Sequence, residues 1–175
     1  TADSATFSMM GTTARDLMYG FAGDDGMNGD GDINPVNAPN QSLGVPSAQN
    51  DILLGGSGQD RLIGDFNQNN GTITNAGDDV LNGGDGNDDI VGDVSTNVGT
   101  ITNAGDDWIF GAQGNDNLWG DVKANTGTIT NTGADTFVYD MSMNNGTDTI
   151  FDFETVKFEP SHDRLLIQNF GTIDS

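Results

Sequence analysis

A chain of 175 residues with 27 Asp and Glu against 5 Lys and Arg carries a net charge of −22, which argues against nucleic acid and anionic membranes as partners and for cations. Only 34% of the residues are hydrophobic and 26 are Gly, so an ordinary core is too small to offset the conformational entropy of folding. There is no cysteine, so neither disulfides nor thiolate metal sites make up the difference.

Residues 1–15 (TADSATFSMMGTTAR) read as a lead-in, without the basic segment and apolar run of a secretory signal peptide. No apolar run in the chain approaches the roughly 20 residues needed to span a bilayer. From Asp16 onward a short unit repeats: Asp16-Leu17-Met18-Tyr19-Gly20, then Asp25-Gly26-Met27-Asn28-Gly29. The unit is Asp-x-(large apolar)-x-Gly, and it recurs twice in each period of 28 residues. Asp51, Asp79, Asp107 and Asp135 head one series, with Asp163 one period further on; Asp60, Asp88 and Asp116 head the other. Their apolar members are Leu53, Leu81, Ile109 and Phe137, and Leu62, Ile90 and Leu118. Asp148-Thr149-Ile150 and Asp163-Arg164-Leu165 keep the template without its glycines.

A three-residue strand around one inward side chain, followed by a Gly-rich turn, cannot bury its apolar side alone, so coils of this kind stack. The sequence predicts an all-β parallel solenoid with two sheets. One is fed by the series from Asp16 to Asp163, the other by Asp25, Asp60, Asp88, Asp116 and Asp148. Helix has little support, because Gly, Asn, Asp and Thr disfavour helix interiors.

The turns between the strands are Gly20–Asp25, GGSGQD (55–60), GGDGND (83–88) and GAQGND (111–116). Gly reaches positive φ, which lets turn carbonyls point at a common centre, and the closing Asp adds a carboxylate. Carbonyls and carboxylates without His or Cys form a hard oxygen cage that suits several calcium ions better than magnesium. The expected ligands are Gly20, Gly23 and Asp25; Gly55, Ser57, Gly58 and Asp60; Gly83, Asp85, Gly86 and Asp88; and Gly111, Gln113, Gly114 and Asp116. Asp51, Asp79, Asp107, Asp135 and Asp148 are expected to join them. With Kd values of about 10⁻⁴–10⁻³ M, free calcium at ~10 Kd contributes roughly 1.4 kcal/mol per site. About six sites then supply ~8 kcal/mol, the order of a whole domain's stability.

The other row of turns is split. Ten residues (66–75, 94–103 and 122–131) are inserted after Gly64-Asp65, Gly92-Asp93 and Gly120-Asp121, and seventeen (31–47) after Gly29-Asp30. Here Asp79 and Asp107 are expected to bind with Asp65, Asp93 or Asp121 as substitute ligands. Each ten-residue insert carries Gly-Thr-Ile-Thr-Asn, predicting a third narrow ladder with Ile73, Ile101 and Ile129 on one side and a two-wide array of Thr on the other. Such an array resembles the Thr-x-Thr surface of some ice-binding solenoids, although Thr also simply suits an exposed strand. Positions that flank the inward residue are largely apolar: Ile52/Leu54, Val80/Asn82, Trp108/Phe110 and Thr136/Val138 in one sheet, and Ile63, Val91 and Trp119 in the other. Either the inserts fold over them or another protein covers them.

Taken together, the turns resemble the nonapeptide G-G-x-G-x-D-(apolar) repeat of the RTX (repeats-in-toxin) family. The resemblance implies a right-handed parallel β-roll over residues 16–138 with calcium in the turns. It also implies type I secretion and folding outside the cell, so a secreted, extracellular or cell-surface bacterial location. The tail, with GADTFVY (133–139), DTIFDF (148–153) and DRLLI (163–167), resembles the segment that closes the β-roll of serralysin-type proteases, and makes 139–175 a cap.

Catalysis finds no support. Adjacent carboxylates such as Asp24/Asp25, Asp78/Asp79, Asp88/Asp89 and Asp106/Asp107 point to opposite faces of a strand. There is no H-E-x-x-H, and the single histidine, His162, reads as a surface or cap residue. Two roles stay open: a calcium-triggered folding and secretion module, or a structural subunit of a surface layer, filament or matrix that assembles through apolar outer faces.

Overall fold

The computed structural model describes residues 7–12, 14–30, 44–45, 48–155 and 162–169. All of its regular elements are parallel strands, with no helix among the described residues. Strands are numbered in chain order. One six-stranded sheet contains β1 (Ser8–Met10), β3 (Gly26–Asn28), β6 (Arg61–Ile63), β10 (Asp89–Val91), β14 (Asn117–Trp119) and β18 (Thr149–Ile150). The other contains β2 (Leu17–Ala22), β5 (Ile52–Ser57), β9 (Val80–Asp85), β13 (Trp108–Gln113), β17 (Thr136–Asp140) and β19 (Arg164–Gln168). These are the two sheets that the Asp series feed, stacked in a β-solenoid of 28-residue coils.

Register follows the apolar repeat. Leu53 pairs with Leu81 and Ile109 with Phe137 in one sheet, and Ile90 pairs with both Leu62 and Leu118 in the other. Because side chains alternate along a strand, a one-residue slip would turn this whole set outward, which fixes the register. The two columns meet in a core of Met18, Met27, Leu53, Leu62, Leu81, Ile90, Ile109, Leu118 and Phe137.

The strands β5, β9 and β13 are longer than predicted. They run six residues, into the first half of each Gly-rich turn, so that Gly56 pairs with Gly84 and Ser57 with Asp85. Glycine permits this close stacking, since a Cβ on Gly84 would collide with the Gly56 carbonyl.

The inserts stack too. The predicted Thr-Ile-Thr ladder forms as β8 (Thr72–Asn75), β12 (Thr100–Asn103) and β16 (Thr128–Asn131), extended by β4 (Gly44–Val45). Ile73 and Ile101 are buried and the Thr side chains face solvent or are half-exposed. A fourth ladder, which the sequence did not announce, is formed by β7 (Phe66–Asn69), β11 (Val94–Asn97) and β15 (Val122–Asn125). The two ladders enclose a second core of Phe66, Val94, Val122, Ile73 and Ile101. We call this narrower stack the arm.

Polar ladders run along the arm. Asn69 Nδ2 donates to Asn97 Oδ1 at 2.8 Å and Asn97 Nδ2 to Asn125 Oδ1 at 3.0 Å. Asn103 Nδ2 donates to Asn75 Oδ1, and Asn131 Nδ2 to Asn103 Oδ1, both at 2.7 Å. Identical side chains stacked in register satisfy one another, which pins each rung to the next.

The outer faces divide. Ile63, Val91 and Trp119 are buried as a third apolar column. Beside it, Arg61 hydrogen-bonds Asn67 and Ser95 of the arm, Lys123 lies over the Trp119 ring, and Phe151 stacks on Trp119 at 4.4 Å. The outer face of the β2–β19 sheet is open in part: Leu17, Tyr19, Phe21, Ile52 and Trp108 are exposed, whereas Thr136 and Val138 of β17 are buried.

Candidate metal centre

The site is built from two columns of aspartates, one at the start of each sheet's strands. In the intact row the main-chain N–H of Asp25 donates to Asp60 Oδ1 at 2.7 Å. Asp60 donates likewise to Asp88, Asp88 to Asp116, and Asp116 to Asp148, each at 2.8 Å. In the split row Asp16 donates to Asp51, Asp51 to Asp79, Asp79 to Asp107, Asp107 to Asp135 and Asp135 to Asp163, at 2.6–3.1 Å. Every Asp thus spends one oxygen on the coil before it.

The second oxygen is left over. Oδ2 of Asp25, Asp60, Asp88 and Asp116 in the intact row, and of Asp51, Asp79 and Asp107 in the split row, is buried without a hydrogen-bond partner. An unpaired buried carboxylate oxygen is costly and demands a positive partner. Among the described residues the ion pairs amount to Lys123–Asp89, which lies outside both columns.

Each orphaned oxygen points into a cradle. A Cβ on Gly55 would collide with Asp60 Oδ2 and the Gly83 carbonyl oxygen, and one on Gly20 with Asp25 Oδ2 and the Gly55 carbonyl. Gly83 and Gly111 stand in the same relation to Asp88 and Asp116. The split row repeats the arrangement with residues that were not foreseen as ligands: Gly29 faces Asp51 Oδ2 and the Gly64 carbonyl, Gly64 faces Asp79 Oδ2 and the Gly92 carbonyl, and Gly92 faces Asp107 Oδ2 and the Gly120 carbonyl. The signal that could have found them is the Gly-Asp pair before each insert, repeated every coil.

The rows differ in how the chain turns. In the intact row two residues per turn have positive φ: Gly56 and Gly58, Gly84 and Gly86, Ala112 and Gly114, Phe21 and Gly23. No residue between Gly64 and Asp79 does. There the chain leaves for the arm instead, and Asp65, Asp93 and Asp121 close the neck by accepting the N–H of Gly77, Gly105 and Gly133. Of the other expected ligands, Gly23, Gly58, Gly86 and Gly114 lie in the left-handed turn positions. Ser57, Asp85 and Gln113 are exposed, and their carbonyls accept the N–H groups of Gly23, Gly58 and Gly86 one coil back.

Burial pushes these carboxyls up. Opposed by the Asp60 N–H and reinforced by the charges of Asp116 and Asp60, burial raises Asp88 to about 7. Burial raises Asp51 to about 7 and Asp116 to about 6. Asp79 and Asp107 are driven well above the usual carboxylate range by burial first, and then by neighbouring aspartates.

The ends of both columns are closed. Asp16 Oδ2 accepts the N–H and hydroxyl of Thr12, Asp163 Oδ2 accepts the Glu154 N–H at 2.7 Å, and Asp148 is hydrogen-bonded by the Tyr139 side chain. Asp148 keeps its place although it lies 32 residues after Asp116 rather than 28.

Orphaned carboxylate oxygens beside inward glycine carbonyls are what a hard divalent cation requires. No group of three acidic or His side chains converges among the described residues, so a cation's shell must come largely from the main chain. Comparison with curated proteins and with solved structures gives no match for the chain. The family model of the RTX calcium-binding nonapeptide repeat matches it in four copies, over residues 8–34, 47–69, 73–98 and 101–122. These matches span more than half of the chain, which therefore belongs to the RTX calcium-binding nonapeptide-repeat family and binds several calcium ions along its repeats.

Proposed function

We propose that this is a secreted, non-catalytic β-roll whose folding is driven by calcium outside the cell, after type I secretion. The observation that carries the reading is the set of orphaned Oδ2 atoms in the two columns. Stacked about 4.8 Å apart, like turns repel unless a cation lies between them. Bound calcium supplies the positive charge and the coordination that this requires. The chain supplies the rest: Oδ1 of each Asp holds the preceding coil's N–H, and left-handed turn residues steer carbonyls inward. The carboxylates that bear this charge are buried rather than offered to a substrate, in keeping with binding and not catalysis.

The test is size-exclusion chromatography with light scattering, once in chelator and once in millimolar calcium. An expanded monomer that becomes compact is the expected result; compactness in both conditions would overturn the reading.

A second role, as a structural subunit that self-associates, is favoured by the open apolar face of the β2–β19 sheet, where Phe21 is 72% and Leu17 57% exposed. The same experiment reads it as a defined oligomer in calcium. The Thr columns of the arm are in register, but three rungs at about 4.8 Å span only about 10 Å, and we assign them to the arm's solvent face rather than to ice.

A further inference from the structure

Resting on the calcium reading above, we infer that the necks of the arm hold calcium ions of their own, each gripped by two carboxylates: Asp79 with Asp65, and Asp107 with Asp93. These are not nonapeptide turns. The intact row buries one carboxylate per turn and has a pair of left-handed residues, whereas the necks have no left-handed residue and bury two carboxylates each.

All four side chains are at most 1% exposed. Asp79 and Asp107 each keep an Oδ2 with no partner, and that atom is aimed at Gly64 and Gly92, the residues directly before Asp65 and Asp93. Both oxygens of Asp65 lean on a single N–H, that of Gly77, at 3.2 Å, and those of Asp93 on that of Gly105 at 3.1 and 3.3 Å. At Asp93 the one shared, long hydrogen bond leaves most of the carboxylate's accepting capacity unused, while Asp65 also meets the Asp30 side chain. Asp65 feels Asp79 as its strongest charge neighbour, and Asp107 feels Asp93, so the two carboxylates of each neck act on one another.

The donors at each neck are two carboxylates and a glycine carbonyl, all hard oxygens, with a local charge that one divalent ion cancels. Affinity for calcium rises with the number of charged ligands. The necks are therefore the tighter class of site and the intact turns the weaker one. Ions there bind arm to roll, joining the residue that leaves the roll to the one that returns.

The experiment counts ions. Native mass spectrometry at saturating calcium gives stoichiometry, and calorimetry gives affinity classes, for the wild-type chain, Asp93→Asn and the intact-row variant Asp88→Asn. Asn at 93 keeps an oxygen for the Gly105 N–H and removes only the charge. Asp93→Asn is expected to bind one ion fewer and to lose it from the tight class, with Asp88→Asn losing from the weak class. An unchanged ion count and tight class in Asp93→Asn would make Asp93 a neck hydrogen-bond acceptor only and overturn the inference. Should Asp93→Asn fail to fold, Asp65→Asn reads the neighbouring neck by the same count. A wild-type chain compact in chelator would overturn calcium-driven folding, yet the ion counts would still decide the necks.

Discussion

The main-chain N–H of Asp79 donates to Asp107 Oδ1 at 2.7 Å, while the other oxygen of the same carboxylate, buried and unpartnered, turns to the glycine side of the neck. One side chain thus does two jobs, joining coils through one atom and carrying charge for a cation on the other. Substitution separates them. Asp107→Asn keeps an acceptor for the Asp79 N–H but removes the charge, so the calcium midpoint for folding, followed by circular dichroism, is expected to rise several-fold. Asp107→Ala also orphans the N–H, at a further cost of about 1–3 kcal/mol. Equal midpoints for Asn and Ala would show that the inter-coil hydrogen bond contributes nothing.

Acid should partly replace calcium. In the folded chain Asp51, Asp88 and Asp121 are raised to about 7 and Asp116 to about 6, burial being the main cause, against roughly 3.9 in an unfolded chain. The metal-free folded state then binds more protons than the unfolded one, so its stability is greatest below about pH 4 and is lost as pH rises through 6–7. In chelator, β-structure measured by circular dichroism is expected to be greater at pH 5 than at pH 8, and the calcium midpoint for folding to move to lower concentration as pH falls. A chelated chain equally unfolded at both pH values would contradict the assignment of these groups.

Ala112 has φ 70°, at the position that Gly56 and Gly84 occupy in the turns of the two preceding coils with φ 108° and 104°. A left-handed non-glycine residue is strained. Ala112→Gly is expected to stabilise the calcium-loaded protein by about 0.5–1 kcal/mol. Gly84→Ala should destabilise it by more, since its Cβ would also meet the Gly56 carbonyl. Calcium-loaded thermal unfolding of the two variants checks the sign of each.

Trp108 and Val91 are both outward-facing apolar residues, at 44% and 0% exposure. Trp108→Ser is expected to leave calcium-dependent folding intact while abolishing any assembly that uses the open face. Val91→Ser, by contrast, should cost about 2–3 kcal/mol because it places a hydroxyl in the third apolar column. Light scattering on Trp108→Ser and denaturant unfolding of Val91→Ser read the two effects; assembly unchanged in Trp108→Ser would remove that face as the contact.

Much of this was legible because the repeat is strict. Leu53, Leu81 and Ile109 recur at one spacing, and a period-28 apolar series with Gly-rich turns has few solutions other than stacked parallel coils. The aspartates that close each turn were equally readable, as was the Thr-Ile-Thr strand, whose alternation has period 2. What was not legible lies where the pattern is too short to carry a signal. Phe66-Asn67-Gln68-Asn69 has one apolar residue in four, and it becomes a strand only because Val94–Asn97 lies in register beside it. Whether Ile63 or Ile52 is covered depends on where the arm rests, and nothing local to either residue encodes that.

The coil, its period, the inward residue of each strand and the chemistry of the turns are written in the residues themselves, because all of these are set by local conformational preference and by repetition. The tertiary structure decided how each carboxylate divides its two oxygens. It decided that the split row keeps the same cradle across an insert, with Asp79 returning beside Gly64, and that the columns end at Thr12, Tyr139 and Glu154. Those outcomes depend on atoms brought together from different coils, and only stacking places them within a hydrogen bond of one another.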